Sequence, residues 1–428
     1  MAGPGAPVGA PGHGHRQAAV TIRIVTISTL FPHRSLPAHG VFVETRLRHL
    51  VADEDVESIV IAPVAWFPST DSRFGPWARA AASPRQEMRF GLDVRHPRYL
   101  VIPKIGQGLT PHTLYRALKS SLGRLIDDGY HPDLIDAHYL YPDGVAAAWV
   151  ARDFNLPLVL TARGSDVTQW PDFARPRALI RAAVAQAEAV ITVSEALRRG
   201  LIALGADGGK ITTLRNGVDT ALFQPTDPAS ARQSLGRTRP YCVSVGHLIA
   251  RKGHDRVIEA FALRARSGVA TPDLVIIGEG PERQTLSRLA ARLGVADRVH
   301  LAGALPQSSL PLYYSGAEAL ILASSREGWA NVLLEAMACG TPVVASPAAG
   351  NDEVVRDRAA GVIAADFTPA ALARALDDVL RDPPSRGATV AYAAAHDWRT
   401  ISAGQRAIFE RVLNRRHPAP ARELARSG

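Results

Sequence analysis

Ser324–Gly340 reads SSREGWANVLLEAMACG: a polar loop, then an apolar run at helical spacing that Gly340 and Pro342 bring to a stop. Asn is a residue type that caps helices, so the helix is predicted over Asn331–Cys339 with Asn331 at its start. Glu327 and Gly328 then lie in the loop before it, and Glu335 lies about one turn inside, eight residues after Glu327. A helix start offers free N–H groups and a partial positive charge, which suit a phosphate. Glu327 is placed to accept from sugar hydroxyls and Glu335 from a ribose. The same two acids also fit a surface loop and a dipole-favoured helix position, so the pair alone decides nothing.

Short apolar strands flank this helix, Ala319–Leu322 before it and Val343–Ser346 after it. The same alternation runs back through Tyr241–Val245, the helix Asp255–Arg266, Leu274–Ile277, the helix Glu282–Leu293, Val299–Leu301 and the helix Ser308–Ser315. Further upstream it recurs as Thr21–Ser28, the helix Val41–Val51, Ser58–Ala62, Leu134–Ala137, Leu158–Thr161 and Ala189–Val193, with helices over Gly144–Asp153 and Pro176–Ala187. Strands alternating with helices predict parallel sheets covered on both faces. The pattern pauses at Thr212–Pro225 (TTLRNGVDTALFQP) and in the polar stretch that follows. The expected architecture is α/β: two tandem doubly wound, Rossmann-like domains, residues 20–217 and 218–397, facing across a cleft. A helix within 398–416 is expected to pack back on the N-terminal domain. Residues 1–19, rich in Gly, Pro and Ala, read as a disordered leader, and 417–428 as a frayed tail.

With 428 residues, 46% of them hydrophobic and 21% charged, the chain can build two cores. Cys242 and Cys339 are its only cysteines and sit far apart, which argues against a disulfide scaffold or a zinc site and fits a reducing compartment. The formal net charge of +9 admits nucleic acid, an anionic membrane or phosphorylated ligands. No Lys/Arg run with interleaved aromatics supports nucleic acid. No window approaches a membrane span or a signal core. The expectation is a cytoplasmic protein.

Other strand ends carry candidate chemistry. Ser244–Gly253 (SVGHLIARKG) puts Arg251 and Lys252 beyond a strand that ends at Gly246, where fixed cations suit a diphosphate; a solvated basic loop reads the same way. Ile276–Glu282 (IIGEGPE) offers Gly278 and Gly280 for close backbone approach, as many α/β turns do. In the first half, Gly40 opens a helix, and His138 stands at a strand's carboxyl end in DAHYLYPDG with Tyr139, Tyr141 and Asp143 nearby. Thr161–Val167 (TARGSDV) holds Arg163 and Asp166. Arg163 either reads an acidic sugar or phosphate on an acceptor or only orders the loop; Asp166 lies at the cleft or caps the next segment. Between Arg73 and Arg124 the basic residues Arg79, Arg85, Arg89, Arg95, Arg98, Lys104, Arg116 and Lys119 form either a surface for anionic lipid or a solubilising face.

Taken in order, EGxxNVLLEAMACGTPVVAS around Glu327 and Glu335, Asn216–Asp219 (NGVD), Arg251-Lys252-Gly253 and Gly350–Glu353 (GNDE) resemble the retaining, nucleotide-sugar-dependent glycosyltransferases of family 4, which have the GT-B fold. The resemblance covers Ile22 to about Leu413, and the GVFVE form at Gly40–Glu44 is similar to a branch that builds bacterial surface polysaccharides. It implies that Arg251 and Lys252 hold the diphosphate and Glu335 the ribose. Glu327 with the backbone of Gly328, Trp329, Ala330, Asn331 and Val332 would hold the donor sugar and β-phosphate, and Gly40, Gly246 and Gly278 would complete the nucleotide-sugar site. His138 would contact the donor sugar or steady the transition state, while Tyr139, Arg163 and Asp166 face the acceptor. Two positions depart from the family: Ala330 where Pro is frequent, and Arg163 where many relatives carry His.

The implied reaction moves a sugar from a nucleoside diphosphate to a lipid-linked or soluble saccharide, with retention, no cofactor and no metal, since no Asp-x-Asp occupies a strand-end loop. The implied setting is the cytoplasmic membrane face, with peripheral contact to anionic lipid. Two rival readings are a nucleotide-sugar epimerase of the same fold and a non-catalytic nucleotide-sugar-binding subunit.

Overall fold

The computed structural model describes residues 21–101 and 108–416; the expected leader and tail, and Lys104, lie outside the described residues. The first strands are β1 (Ile22–Ile27), β2 (Val56–Ile61), β3 (Val64–Ala65), β4 (Gln86–Arg89), β5 (Leu92–Arg95) and β6 (Arg98–Tyr99). They are followed by β7 (Leu134–His138), β8 (Leu158–Ala162), β9 (Ala189–Thr192) and β10 (Ile211–Thr213). The second half contributes β11 (Tyr241–Val245), β12 (Asp273–Ile277), β13 (Val299–Gly303), β14 (Leu320–Leu322), β15 (Val343–Ala345) and β16 (Gly361–Ile363). One eight-stranded sheet has the order β10-β9-β8-β7-β1-β2-β5-β4, and a six-stranded sheet the order β13-β12-β11-β14-β15-β16. Their ladders are parallel except for the β4–β5 hairpin.

The central strands β7 (LIDAH), β8 (LVLTA), β11 (YCVSV) and β12 (DLVII) are buried along their whole length, because helices cover both faces of each sheet. That is why they read as mostly apolar runs without alternation, their few polar residues such as Asp136, His138 and Ser244 being buried too. Strand order reverses between β1 and β7 in the first sheet and between β11 and β14 in the second. Ligands bind doubly wound sheets beyond the strand ends at such reversals. His138 ends β7 and Gly246 follows β11, so the topology alone directs both to one crevice.

The helix Trp398–Arg416 returns across the chain. Its Ile408, Phe409 and Val412 join a buried cluster with Ile22 and Ile24 of β1 and Val43 and Leu47 of the helix Val41–Asp53.

One local expectation is corrected, and two regions gain detail the sequence left open. Asn331 is not the capping residue: Ala330 holds the non-helical cap position, and Asn331 is the first helical residue. The stretch from Arg73 to Arg124 contains β4, β5 and most of the helix Thr110–Asp127, whose Leu114, Leu118, Leu122 and Leu125 are buried. Several of its cations are paired internally, Arg89 with Glu44 at 2.6 Å and Lys119 with Asp153 at 2.6 Å. Finally, β16 and the helices Pro369–Arg381 and Arg386–Ala394 complete the second domain in a region left unassigned by the sequence pattern.

Candidate active site

The C-terminal wall is built at the end of β11. A Cβ placed on Gly278 would fall 1.9 Å from the carbonyl oxygen of Gly246, so a glycine is required for the two strand ends to meet. From Gly246 the chain passes through a short helical turn, Ala250–Lys252, and reverses at Gly253, whose φ is 68°. This turn aims Lys252 at Glu327: Nζ donates to Oε1 at 2.7 Å. Arg251 Nη1 lies 3.7 Å from Glu327 Oε2 and donates to the carbonyl of Arg326 at 2.9 Å. Burial opposes ionisation of Glu327, but the Lys252 ammonium and its hydrogen bond, with Arg251 beside them, together hold the pKa below the ordinary value.

Beyond Glu327, the loop Gly328–Ala330 leads into the helix Asn331–Ala338, whose first residues face the same space. Glu335 lies one turn deeper than Asn331. Tyr314 Oη donates to it at 3.1 Å, and burial pushes its carboxyl up to about 7.

The opposite wall comes from the ends of β7 and β8 and the segment after β10. Arg163 donates from Nη2 to His138 Nδ1 at 2.6 Å and from Nη1 to Asn216 Oδ1 at 3.1 Å. His138 Nε2 faces Asp136 Oδ2 at 3.1 Å. Since Nδ1 accepts from the guanidinium, the ring proton belongs on Nε2 and is donated to Asp136. Burial, with Arg163 beside it, lowers the His138 pKa, so the ring is neutral. Asp136 also accepts from Gln405 Nε2 at 2.9 Å, and Gln405 Oε1 accepts from Arg46 Nε at 2.6 Å. Asn216 then crosses to the other domain, donating to Asn331 Oδ1 at 3.1 Å.

These walls enclose a cavity of about 500 Å³. Of the sequence-predicted residues, Tyr139, Arg163, Gly246, Arg251, Lys252, Glu327, Gly328, Trp329, Ala330, Asn331 and Val332 line it. His138, Gly40, Gly278, Glu335 and Asp166 do not. His138 is 1% exposed and sits behind Arg163. Gly40 has φ 69°, and a Cβ there would fall 2.2 Å from the Leu30 carbonyl oxygen; it permits a close approach that brings its neighbours Ala38 and Phe42 to the cavity. Asp166 is buried and accepts from the backbone N–H groups of Leu140, Arg163 and Gly164, so it shapes the loops rather than facing the cleft. Tyr139 adopts φ 80°, a left-handed value that non-glycine residues rarely take; its hydroxyl is held by Ser165 at 2.6 Å and Trp170 at 3.1 Å. Asp143 accepts from the backbone and the hydroxyl of Thr29, and burial pushes its carboxyl up to about 7.

The domains meet by backbone contact. A Cβ on Gly328 would fall 2.1 Å from the Arg163 carbonyl oxygen across the domain boundary; within the C-terminal domain, one on Gly350 would fall 2.8 Å from the Gly328 carbonyl oxygen. Glu353, from GNDE, caps a helix of the other domain: it accepts from the N–H groups of Glu195 at 3.0 Å and Ala196 at 2.8 Å, and from Arg215 at 2.6 Å. Asn216 and Glu353 lie within the NGVD and GNDE motifs, but nothing in the sequence assigns a partner to either. Phe42, Arg46 and Gln405 carry no local signal.

Known proteins resemble this chain along both halves. A family model described as Glycosyltransferase Family 4 matches residues 40–222, and one described as Glycosyl transferases group 1 matches residues 226–396. The chain is 38% identical over 258 residues to a D-inositol 3-phosphate glycosyltransferase of Acidothermus cellulolyticus, covering 56% of this chain and 57% of that one. It is 32% identical over 345 residues to a GDP-mannose-dependent alpha-(1-6)-phosphatidylinositol monomannoside mannosyltransferase of Mycolicibacterium smegmatis, covering 76% and 86%. A putative teichuronic acid biosynthesis glycosyltransferase, TuaC of Bacillus subtilis, is 28% identical over 337 residues, covering 77% and 82%. Among solved structures, a sucrose-phosphate synthase from Thermosynechococcus elongatus superposes with a TM-score of 0.75 at 21% identity, over 92% of this chain and 100% of that one. Anabaena Alr3699/HepE, in complex with UDP and glucose, gives 0.69 at 20% identity, over 91% and 99%.

Proposed function

Because this chain belongs to the family 4 glycosyltransferases and has their GT-B fold, we propose that it is a retaining hexosyltransferase. In this reading it moves a sugar from a nucleoside diphosphate to a saccharide or polyol acceptor in cell-surface glycoconjugate synthesis. The observation that carries the reading is the meeting of Arg251, Lys252, Glu327 and a helix start on one wall of the cavity, across from Arg163, Asn216 and Tyr139.

The diphosphate takes Lys252 and Arg251 as its counter-ions, with the first turn at Asn331 and Val332 beneath the β-phosphate. Glu327, relieved of Lys252, accepts from hydroxyls of the donor sugar, and Glu335 orders the ribose end through the same helix. The bond from the anomeric carbon to the phosphate oxygen breaks, its electron pair leaving with the diphosphate. The acceptor oxygen attacks from that same face and passes its proton to the departing phosphate, so configuration is kept. Leaving-group charge rests on fixed cations, and no metal is required in this scheme. Closure of the two domains limits loss of donor to water.

The acceptors named by the relatives, an inositol phosphate and a phosphatidylinositol glycoside, suggest a phosphorylated or lipid-linked acceptor here. Among the described residues no helix is long and apolar enough to cross a membrane. Contact with the cytoplasmic membrane face would be peripheral, through Arg85, Arg98, Arg116 and Arg124, which line one surface groove.

The test is release of nucleoside diphosphate from a panel of UDP-, GDP- and ADP-sugars by purified protein, with and without EDTA. One donor is expected to be hydrolysed slowly without acceptor, at a rate EDTA leaves unchanged. Absence of both hydrolysis and nucleotide binding across the panel refutes the proposal.

A further inference from the structure

We propose that Arg163 is a second anion site in the cleft, separate from Arg251 and Lys252, and that it binds an anionic oxygen, carboxylate or phosphate, of the substrate pair. It follows that His138 is a positioning residue that holds this guanidinium and does not itself touch substrate. The inference rests on the donor reading above and deepens it.

Three observations carry it. Arg163 lines the cavity yet is only 9% exposed. Two of its nitrogens are committed to neutral acceptors, His138 Nδ1 and Asn216 Oδ1, while buried Nε has no hydrogen-bond partner among the described residues. Neither nearby carboxylate is hydrogen-bonded to the guanidinium: Asp136 offers Oδ2 to His138 and Gln405 and acts on Arg163 only through space, and Asp166 takes backbone amides. A buried guanidinium hydrogen-bonded to no carboxylate is costly unless a ligand supplies the charge. Arg46 also has an unpartnered nitrogen, but it does not line the cavity. The guanidinium carbon lies 5.4 Å from the centroid of the Phe42 ring, which also lines the cavity.

His138 is committed on both ring nitrogens, to Arg163 and to Asp136. It holds the fork as a hydrogen-bond acceptor and has no lone pair left to take a proton from an acceptor hydroxyl.

The anion has two sources, the donor diphosphate or a group on the acceptor, and calorimetry separates them. UDP is titrated into the free protein, and inorganic phosphate into the UDP-saturated protein, for wild type and Arg163→Gln. Arg163→Gln removes a charge-assisted hydrogen bond and is expected to weaken one of the two titrations about 10- to 100-fold. Loss confined to phosphate assigns the site to the acceptor; loss for UDP assigns it to the donor diphosphate. No change in either overturns the proposal. If UDP fails to bind even wild type, the donor reading falls, and phosphate titrated into UDP-free wild type and Arg163→Gln still decides this one. If Arg163→Gln does not fold, Arg163→Lys is used: its single ammonium is expected to bind about 10-fold more weakly, and full retention overturns the site.

For His138, Asn keeps an acceptor oxygen near the Nδ1 position and Leu does not. His138→Asn is expected to keep the anion affinity within about 3-fold, and His138→Leu to lose it as Arg163→Gln does. Equal loss in both refutes the positioning role.

Discussion

On the proposed reading Lys252 exchanges its contact with Glu327 for the diphosphate, and replacing Glu327 by Gln should therefore strengthen nucleotide binding while destroying turnover. The ammonium of Lys252 is 2.7 Å from its carboxylate, and their side chains are 16% and 9% exposed. At an effective dielectric of about 20 the gross attraction is roughly 6 kcal/mol. Desolvation takes back part of it, and breaking such a buried pair costs about 3–5 kcal/mol. Residual exposure favours the lower end, about 3 kcal/mol. For a domain of this size that lowers the melting temperature by roughly 6–12 °C. Glu327 titrates below its ordinary value, so this stability is present above pH about 4.5 and is lost as pH falls through the lower folded pKa.

UDP reverses the deficit. In Glu327→Gln the Lys252 ammonium is free for the diphosphate, so UDP should bind about 10-fold tighter or better and raise the melting temperature more than in wild type. Donor turnover should fall about 100-fold or more, since the sugar loses its carboxylate. Calorimetry with UDP, a thermal melt with and without UDP, and a donor hydrolysis assay read the three effects. Opposite signs for binding and turnover are the signature. A fall in UDP affinity parallel to the fall in turnover would falsify the idea that Lys252 exchanges Glu327 for the diphosphate.

Other perturbations address the frame around the site. Gly328→Ala places a methyl about where the Arg163 carbonyl oxygen lies, 2.1 Å from its Cβ; both domains must part, and activity should drop at least 10-fold while each domain's secondary structure, read by circular dichroism, persists. Glu353→Ala leaves the Ser194 cap in place but removes the acceptor of the Glu195 and Ala196 N–H groups and the partner of Arg215. It should cost about 2–4 kcal/mol, measured by chemical denaturation, and speed proteolysis near residues 214–226. Asp143 has its pKa raised to about 7. A raised acid binds more protons when folded, so wild type should lose up to about 4 kcal/mol between pH 4 and 8 relative to Asp143→Asn, with no further loss above about pH 8. Denaturation curves for both proteins across that range check it, and parallel curves reject the assignment.

The sequence made the frame legible because each domain repeats one physical pattern. Runs such as LVLTA and YCVSV are mostly apolar on both sides of the strand only when both faces are covered, and that determined the parallel sheets, their order of appearance and the strand ends where ligands gather. It also made the cation-rich turn at Arg251 and the acid at Glu327 legible, because these are local to strand ends. What it could not express is burial. The strand-end rule put His138 in the cleft; the structure puts it behind Arg163, a neighbour across the sheet rather than along the chain. The group that holds Asp136 from below is Gln405, which is 269 residues away and reaches it on a helix whose return depends on Ile408 and Phe409 finding the first domain's surface. Nor was the contact of the Asn331 side chain legible, since the bond it accepts from Asn216 joins residues 115 apart in the two domains. Each residue displaced from its expected role was moved by a contact between elements that are remote in sequence. Those contacts decide which side of the buried Arg163 faces the cavity, so the chemistry open to this cleft is set by how its walls are wired from behind as much as by the residues that line it.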